Sequence, residues 1–160
     1  SRRRHTRFRN VTGVQTCALP IYRGWGCLGD MGWVDEDGYL YLTDRISNMI
    51  ISGGVNIYPR EVEDVLVGHP AVHDVAVVGV ADPEMGEAVR ALVQPSEASV
   101  DEEALAAELI DYCRAHIAHF KCPRSVRFVD ELPRLPTGKI SRRLLPPEWL
   151  APEAEEGLRL

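Results

Sequence analysis

The sequence predicts an α+β fold, a small sheet covered by two helices. Three observations carry that reading. Short apolar segments flank turn signals at Asp37-Gly38 and Gly53-Gly54. An apolar, β-branched run at 72–80 is followed by an alternating segment at 87–94. Two further stretches repeat their apolar residues at helical spacing and are bounded by Pro and Gly.

Taken in order, residues 33–34 and 39–42 sit on either side of Asp37-Gly38, a strong hairpin signal. Residues 49–52 and 55–58 form a second hairpin around Gly53-Gly54. Pro59 fits the first turn of a helix, where its missing N–H costs nothing. Val62, Val65 and Leu66 give that helix one apolar face, and Gly68 and Pro70 stop it. The strand at 72–80 ends at Asp82-Pro83, and 87–94 is its partner. Ser99 and Glu102 have capping-box spacing. They open a helix with Leu105, Leu109, Tyr112 or Cys113, and Ile117 on one side, ended by Pro123. A last strand covers 125–129, a short helix is expected at 141–145, and the end of the chain is a tail.

The chain has 160 residues, 45% hydrophobic and 26% charged, enough for one compact unit with a core, or one unit plus a flanking piece. No apolar run approaches the roughly 18 residues a membrane helix needs. A net charge of −6 argues against a general nucleic-acid binder. Four scattered cysteines (Cys17, Cys27, Cys113, Cys122) make no disulfide scaffold, so a reducing cytoplasm is expected.

The first 21 residues stand apart. They hold five arginines and no acid, which leaves the remainder at −11. Such a stretch invites a nucleic-acid arm or a transit peptide. A secretory signal fits poorly, since no apolar stretch follows the arginines. Residues 11–21 resemble a common sequencing adapter translated in frame, so 1–21 are expected to be an artefact.

Chemistry concentrates at 134–142. Thr137-Gly138 after Pro136 makes a tight turn from which Lys139 projects, a compact charge able to meet a developing negative one. On spacing alone, an exposed turn lysine explains the residue as well. A phosphate loop is excluded, because Pro133 and Ile140 stand where that motif needs Gly and Ser or Thr. Gly24-x-Gly26-x-x-Gly29 matches a dinucleotide fingerprint by letter, yet a strand rather than a helix is expected after Gly29. Cys113, His116, His119 and Cys122 are spaced by threes like metal ligands. On one helix the outer two lie about 13 Å apart and half a turn away in azimuth, so no metal is expected.

Asp30 can accept both hydroxyls of a ribose and Arg45 can donate to ribose or phosphate oxygens; either alone also reads as surface charge. Gly53-Gly54 admits close approach of a thin ligand, or is simply a hairpin turn.

Together these pieces resemble the C-terminal end of an adenylate-forming (AMP-binding) enzyme, of the acyl-CoA synthetase branch. The carrying residues are Gly24-Trp25, Leu28-Gly29-Asp30 and Asp35-Glu-Asp-Gly-Tyr-Leu-Tyr-Leu-Thr-Asp-Arg45. Met49-Ile-Ile-Ser-Gly-Gly-Val-Asn-Ile-Tyr-Pro-Arg-Glu-Val-Glu63 and His119-Phe-Lys-Cys-Pro123 follow. Last comes Phe128-Val-Asp-Glu-Leu-Pro-Arg-Leu-Pro-Thr-Gly-Lys-Ile-Ser-Arg142.

The resemblance implies two half-reactions. ATP, with its Mg2+, and a carboxylic acid give an acyl-adenylate and pyrophosphate; CoA then gives acyl-CoA and AMP. By position, Asp30 resembles the aspartate on the ribose hydroxyls and Arg45 its neighbouring nucleotide contact. Lys139 resembles the adenylation lysine, and Gly53 and Gly54 resemble the hairpin lining the pantetheine tunnel. It further implies that 22–43 end a large N-terminal domain and 44–48 form a hinge, with 49–147 the mobile C-terminal domain and 148–160 a tail. The family usually carries Asp or Lys at the hinge position where this chain has Ser47, so Ser47 and Asn48 both stay open as the pivot. The nucleotide and acyl pockets of the family belong to the large domain, so these 160 residues are expected to be inactive alone. Two rivals stay open: an adenylation module serving a peptide synthetase or acyl carrier protein, and a non-catalytic domain that kept the fold.

Overall fold

The computed structural model describes residues 21–22, 25–26, 29–97 and 99–152. The expected artefact therefore lies outside the described residues except for Ile21. The chain divides into two compact units between Ser47 and Asn48.

In the first unit, β1 (Ile21–Tyr22) pairs antiparallel with β2 (Trp25–Gly26). Next, β3 (Asp30–Val34) pairs antiparallel with β4 (Leu40–Arg45). The turn spans Asp35–Gly38, one residue earlier than expected: the Gly38 N–H donates to the Asp35 carbonyl at 3.1 Å, Glu36 and Asp37 are its central residues, and Gly38 supplies the positive φ just after them. Trp33 and Tyr41 face each other across this hairpin and stack at 4.5 Å, the cross-strand aromatic pairing that holds such a ribbon. A strand follows Gly29, so the dinucleotide fingerprint fails as anticipated. A single 3₁₀ turn, Ile46–Asn48, ends the hairpin.

The second unit is a five-stranded mixed sheet. Its strands are β5 (Ile50–Ser52), β6 (Val55–Ile57), β7 (Val72–Asp82), β8 (Gly86–Pro95) and β9 (Ser125–Phe128). The order is β6-β5-β8-β7, with β9 parallel to β8 and the other pairs antiparallel. Helix α1 (Pro59–Leu66) precedes β7, α2 (Glu102–His116) links β8 to β9, and α3 (Pro147–Leu150) comes last.

The sheet is covered on both faces. On one, Val75, Val77, Ala91 and Val93 meet Val62 and Leu66 of α1 and Leu105, Leu109 and Cys113 of α2. On the other, Ala76, Val78, Val80 and Leu92 meet Leu132, Leu145 and, partly buried, Ile140, Trp149 and Leu150. Burial on both faces is why β7 reads as an unbroken apolar run rather than an alternating one. Each fully buried Leu or Val contributes roughly 1.5–3 kcal/mol. The β7–β8 register shifts between Val72 and Asp74. This bulge leaves Val72 on the helix-covered side, with Val75 and Val77.

Four expectations are corrected. Helix α2 starts at Glu102 with Asp101, not Ser99, as its cap; the Asp101 carboxylate accepts from the Ala104 N–H at 3.1 Å. Aspartate closer to the helix meets that orphan donor directly, so the Ser99–Glu102 spacing is incidental. The helix also ends at His116 rather than running to Pro123; a 3₁₀ turn, His119–Lys121, intervenes. A continued helix would turn Cys122 away from the side that buries Cys113, whereas leaving it brings both into the core. Finally, the expected tail is shortened. Residues Pro147–Leu150 are helical, and the buried Arg90 guanidinium donates to the carbonyls of Trp149 (3.1 Å) and Ala151 (2.7 Å). The short helix expected at 141–145 is a 3₁₀ turn, Arg142–Leu144.

Candidate functional site

In the first unit Asp30 opens β3 and Arg45 closes β4, and they are direct register partners. Arg45 Nε lies 3.3 Å from Asp30 Oδ1, and both side chains stay substantially exposed. The Ile46 N–H donates to the Gly29 carbonyl at 2.8 Å, closing the hairpin just beyond the pair. An anionic acceptor and a cationic donor thus stand side by side at a strand end, the chemistry a ribose phosphate needs.

In the second unit Ser52 pairs with Val55, so Gly53 and Gly54 are the whole turn, with φ of 56° and 78°. Positive φ at both central residues is the two-residue turn that matches strand twist, and it selects glycine. The two glycines differ in surroundings. The Gly53 N–H donates to the Met85 carbonyl at 2.9 Å, and a Cβ there would lie 2.5 Å from Met85 Cε. A Cβ at Gly54 would meet nothing within 4 Å.

Beside this hairpin lies a cleft of about 170 Å³, lined by Ser52, Gly53, Met85, His119, Phe120 and Arg124 among others. Asp82 holds its wall: its Oδ1 accepts from the N–H groups of Met85 (2.8 Å) and Glu84 (3.0 Å). Those bonds, Met85's foremost, and Arg124 at 3.5 Å keep the Asp82 carboxyl below the usual carboxylate range. Sequence reading missed this cleft because 119–122 were assigned to the end of α2. The available signal was Phe120, an aromatic among polar neighbours, which the structure leaves exposed.

Lys139 follows a tight turn. The Gly138 N–H donates to the Leu135 carbonyl and the Leu135 N–H to the Lys139 carbonyl, both at 2.8 Å, and Gly138 has φ of 83°. The side chain is exposed and has no hydrogen-bond or ion-pair partner among the described residues. The chain's other lysine, Lys121, is spent on both oxygens of Glu61, at 2.6 and 2.7 Å. Arginines on either side fasten the Lys139 turn to β7. Arg134 pairs with Asp74, while Arg142 pairs with Glu63 and donates to the Val77 carbonyl at 3.3 Å. Glu63 in turn accepts from the Val77 N–H at 2.8 Å, so the pair also caps the free edge of the sheet.

The structure brings Asp30 and Arg45 together, and Gly53 with Gly54. It does not bring Lys139 to the glycine hairpin. Lys139 is anchored to β7 at one edge of the sheet, the hairpin forms the other edge, and Lys139 does not line the cleft.

The Cys-x-x-His row separates by function. Cys113 is wholly buried, and burial, foremost, pushes its thiol up to about 12. Burial raises Cys122 as well, and its thiol donates to the Ala118 carbonyl at 3.6 Å. His116 Nδ1–H donates to the Tyr112 carbonyl at 2.7 Å. Among the described residues no group of three or more His, Cys, Asp or Glu converges as a metal site.

Comparison with known proteins accords with this arrangement. Residues 61–139 match the AMP-binding enzyme C-terminal domain. A long-chain-fatty-acid–CoA ligase, FadD13, of Mycobacterium tuberculosis is 42% identical over 128 residues, 80% of this chain and 25% of the relative. An o-succinylbenzoate CoA synthetase (MenE) structure from Bacillus subtilis, in complex with its acyl-adenylate intermediate, superposes with a TM-score of 0.68 at 40% identity. That match covers 77% of this chain and 24% of the other. The amide bond synthetase McbA of Marinactinospora thermotolerans gives 0.69 at 41%, covering 82% and 26%. The chain spans about a quarter of the length of the relatives it matches. Residues 61–139 are thus an AMP-binding enzyme C-terminal domain, and the chain belongs to the adenylate-forming enzymes.

Proposed function

We propose that this chain is the C-terminal part of an ATP-dependent acyl-CoA synthetase. The intact enzyme converts a carboxylic acid and ATP to an acyl-adenylate and pyrophosphate, and then passes the acyl group to CoA, releasing AMP. In this reading Asp30 accepts the ribose hydroxyls, with Arg45 as the adjacent nucleotide contact. Lys139 reaches the carboxylate and α-phosphate oxygens as charge builds there. Gly53 and Gly54 let the pantetheine arm pass, and the cleft beside them is a wall along which CoA approaches. Mg2+ enters with the nucleotide and is assigned no ligand among the described residues. The buried free thiols, Cys113 and Cys122, suit the reducing cytoplasm expected for the enzyme.

One observation carries the reading: Lys139 and the glycine hairpin lie at opposite edges of one sheet. A single small domain so built offers its amine for one step and its hairpin for the other by turning. The boundary at Ser47 and Asn48 supports a pivot there, within the 44–48 hinge.

Lys139→Ala in the intact enzyme tests this. An interaction made only in the adenylation transition state accelerates that step alone. Adenylate formation falls roughly 10²-fold or more, about 3 kcal/mol, while thioester formation from supplied acyl-adenylate persists. Equal loss in both steps overturns the assignment.

The likeness to McbA favours a second reading, in which an amine rather than the CoA thiol takes the acyl group. Supplying the enzyme with its acyl-adenylate and either CoA or an amine decides between them, since the acceptor alone differs.

A further inference from the structure

We propose that Arg134 is a positioning residue for Lys139, itself oriented by Asp74. The inference rests on the adenylation role given to Lys139 above.

The Arg134 guanidinium has two partners. One nitrogen, Nη2, pairs with Asp74 Oδ2, and the other, Nη1, donates to the Gly138 carbonyl. That carbonyl belongs to the peptide bond entering Lys139, so holding it fixes the plane from which the Lys139 side chain departs. Such a constraint matters here because Gly138, at φ of 83°, has no Cβ to restrain the peptide. Backbone pairing of Arg134 with Ile140 keeps the guanidinium on the same turn it clamps.

Asp74 is placed for this by the bulge in β7. With His73 as the extra residue, Val72 and Val75 both face the α-helices, whereas Asp74 lies in step with Ala76 and Val78. Those residues pack under Leu132 and Ile140, which bracket the turn. Bulges beside active sites commonly re-aim a side chain in this way. Asp74 Oδ1 accepts from the Val75 N–H at 2.9 Å, leaving Oδ2 for Arg134. The carboxylate is 16% exposed and the guanidinium 45%. With the guanidinium still half in solvent the attraction is screened, so the pair's contribution to stability is modest and its main effect is expected in geometry. Arg142, by contrast, anchors the chain beyond Lys139 without touching the turn's own peptides.

Arg134→Ala and Asp74→Asn in the intact enzyme test the clamp, read by both half-reactions and by thermal melting. Adenylate formation falls roughly 10-fold to 10²-fold in Arg134→Ala, and less in Asp74→Asn. Thioester formation from supplied acyl-adenylate and the melting temperature stay near their original values. In a Lys139→Ala background, Arg134→Ala has no further effect, because a positioning residue has nothing left to position. Undiminished adenylation in Arg134→Ala, loss in both half-reactions, or additive loss without Lys139 each overturns the clamp. Should Arg134→Ala fail to fold, the same readouts on Asp74→Asn decide. Should Lys139→Ala itself adenylate at full speed, the fault lies in the functional reading instead.

Discussion

Asp30 and Arg45 end the two strands of one hairpin as direct register partners, 3.3 Å apart at Oδ1 and Nε. With 37% and 60% of their side chains exposed, they form a weak brace, about 0–1 kcal/mol, and stand as the acceptor and donor of the proposed nucleotide contact. Asp30→Ala in the intact enzyme should therefore leave the melting temperature nearly unchanged while the KM for ATP rises about 10²-fold, the loss of two charge-assisted hydrogen bonds. Titrating initial rates against ATP checks this. A lowered melting temperature with an unchanged KM would make the pair purely structural.

The glycine hairpin separates two costs. Gly54→Ala adds a methyl in open space and costs only the positive φ, roughly 1–2 kcal/mol. Gly53→Ala bears the same strain and also forces Met85 Cε aside. In the intact enzyme Gly54→Ala should slow thioester formation and spare adenylation, and Gly53→Ala should melt at a lower temperature than Gly54→Ala. Trimming Met85 to Ala in the Gly53→Ala background should recover part of that difference. Melting curves alongside the two half-reaction rates report all three outcomes.

Cys113 sets an alkaline limit. Its thiol is pushed up to about 12 in the fold, against 9.0 for a solvent-exposed thiol, because burial disfavours the thiolate. The folded value is the higher one, so the stabilisation is complete below pH 9 and is lost as pH rises from 9 towards about 12. Between pH 8 and pH 10 the group removes about 1.4 kcal/mol, since the unfolded thiol ionises and the folded one does not. Urea midpoints at the two pH values should fall further for the original protein than for Cys113→Ala. Parallel declines would remove Cys113 as the cause.

Much of the site was legible residue by residue. Pro136, Thr137 and Gly138 specify a turn wherever they are placed, so Lys139 had to stand beside one. The Gly53-Gly54 turn was legible for the same reason, and Gly38 marked the first hairpin although its turn centres one residue earlier, on Glu36 and Asp37. The α2 boundaries were not. Ser99 and Asp101 both offer cap oxygens in sequence, and only the path of the chain selects Asp101. At the other end, Pro123 is a true stop, but core burial of Cys122 bends the chain away earlier. The cleft at His119 and Phe120 was hidden by that same misplaced helix end.

By itself the sequence determined the order of strands and helices from β3 to β9, the Gly53-Gly54 turn, and the exposed position of Lys139 after its turn. These depend on φ preferences, caps and periodicity, which act between residues a few positions apart. Tertiary structure alone decided that β9 lies parallel beside β8 and that the segment after it covers the second face of the sheet. It likewise decided that Lys139 hangs from β7 while the glycine hairpin forms the opposite edge. Such relationships join residues as far apart as Asp74 and Arg134, 60 positions, and arise from burying apolar faces that no local pattern pairs with one another.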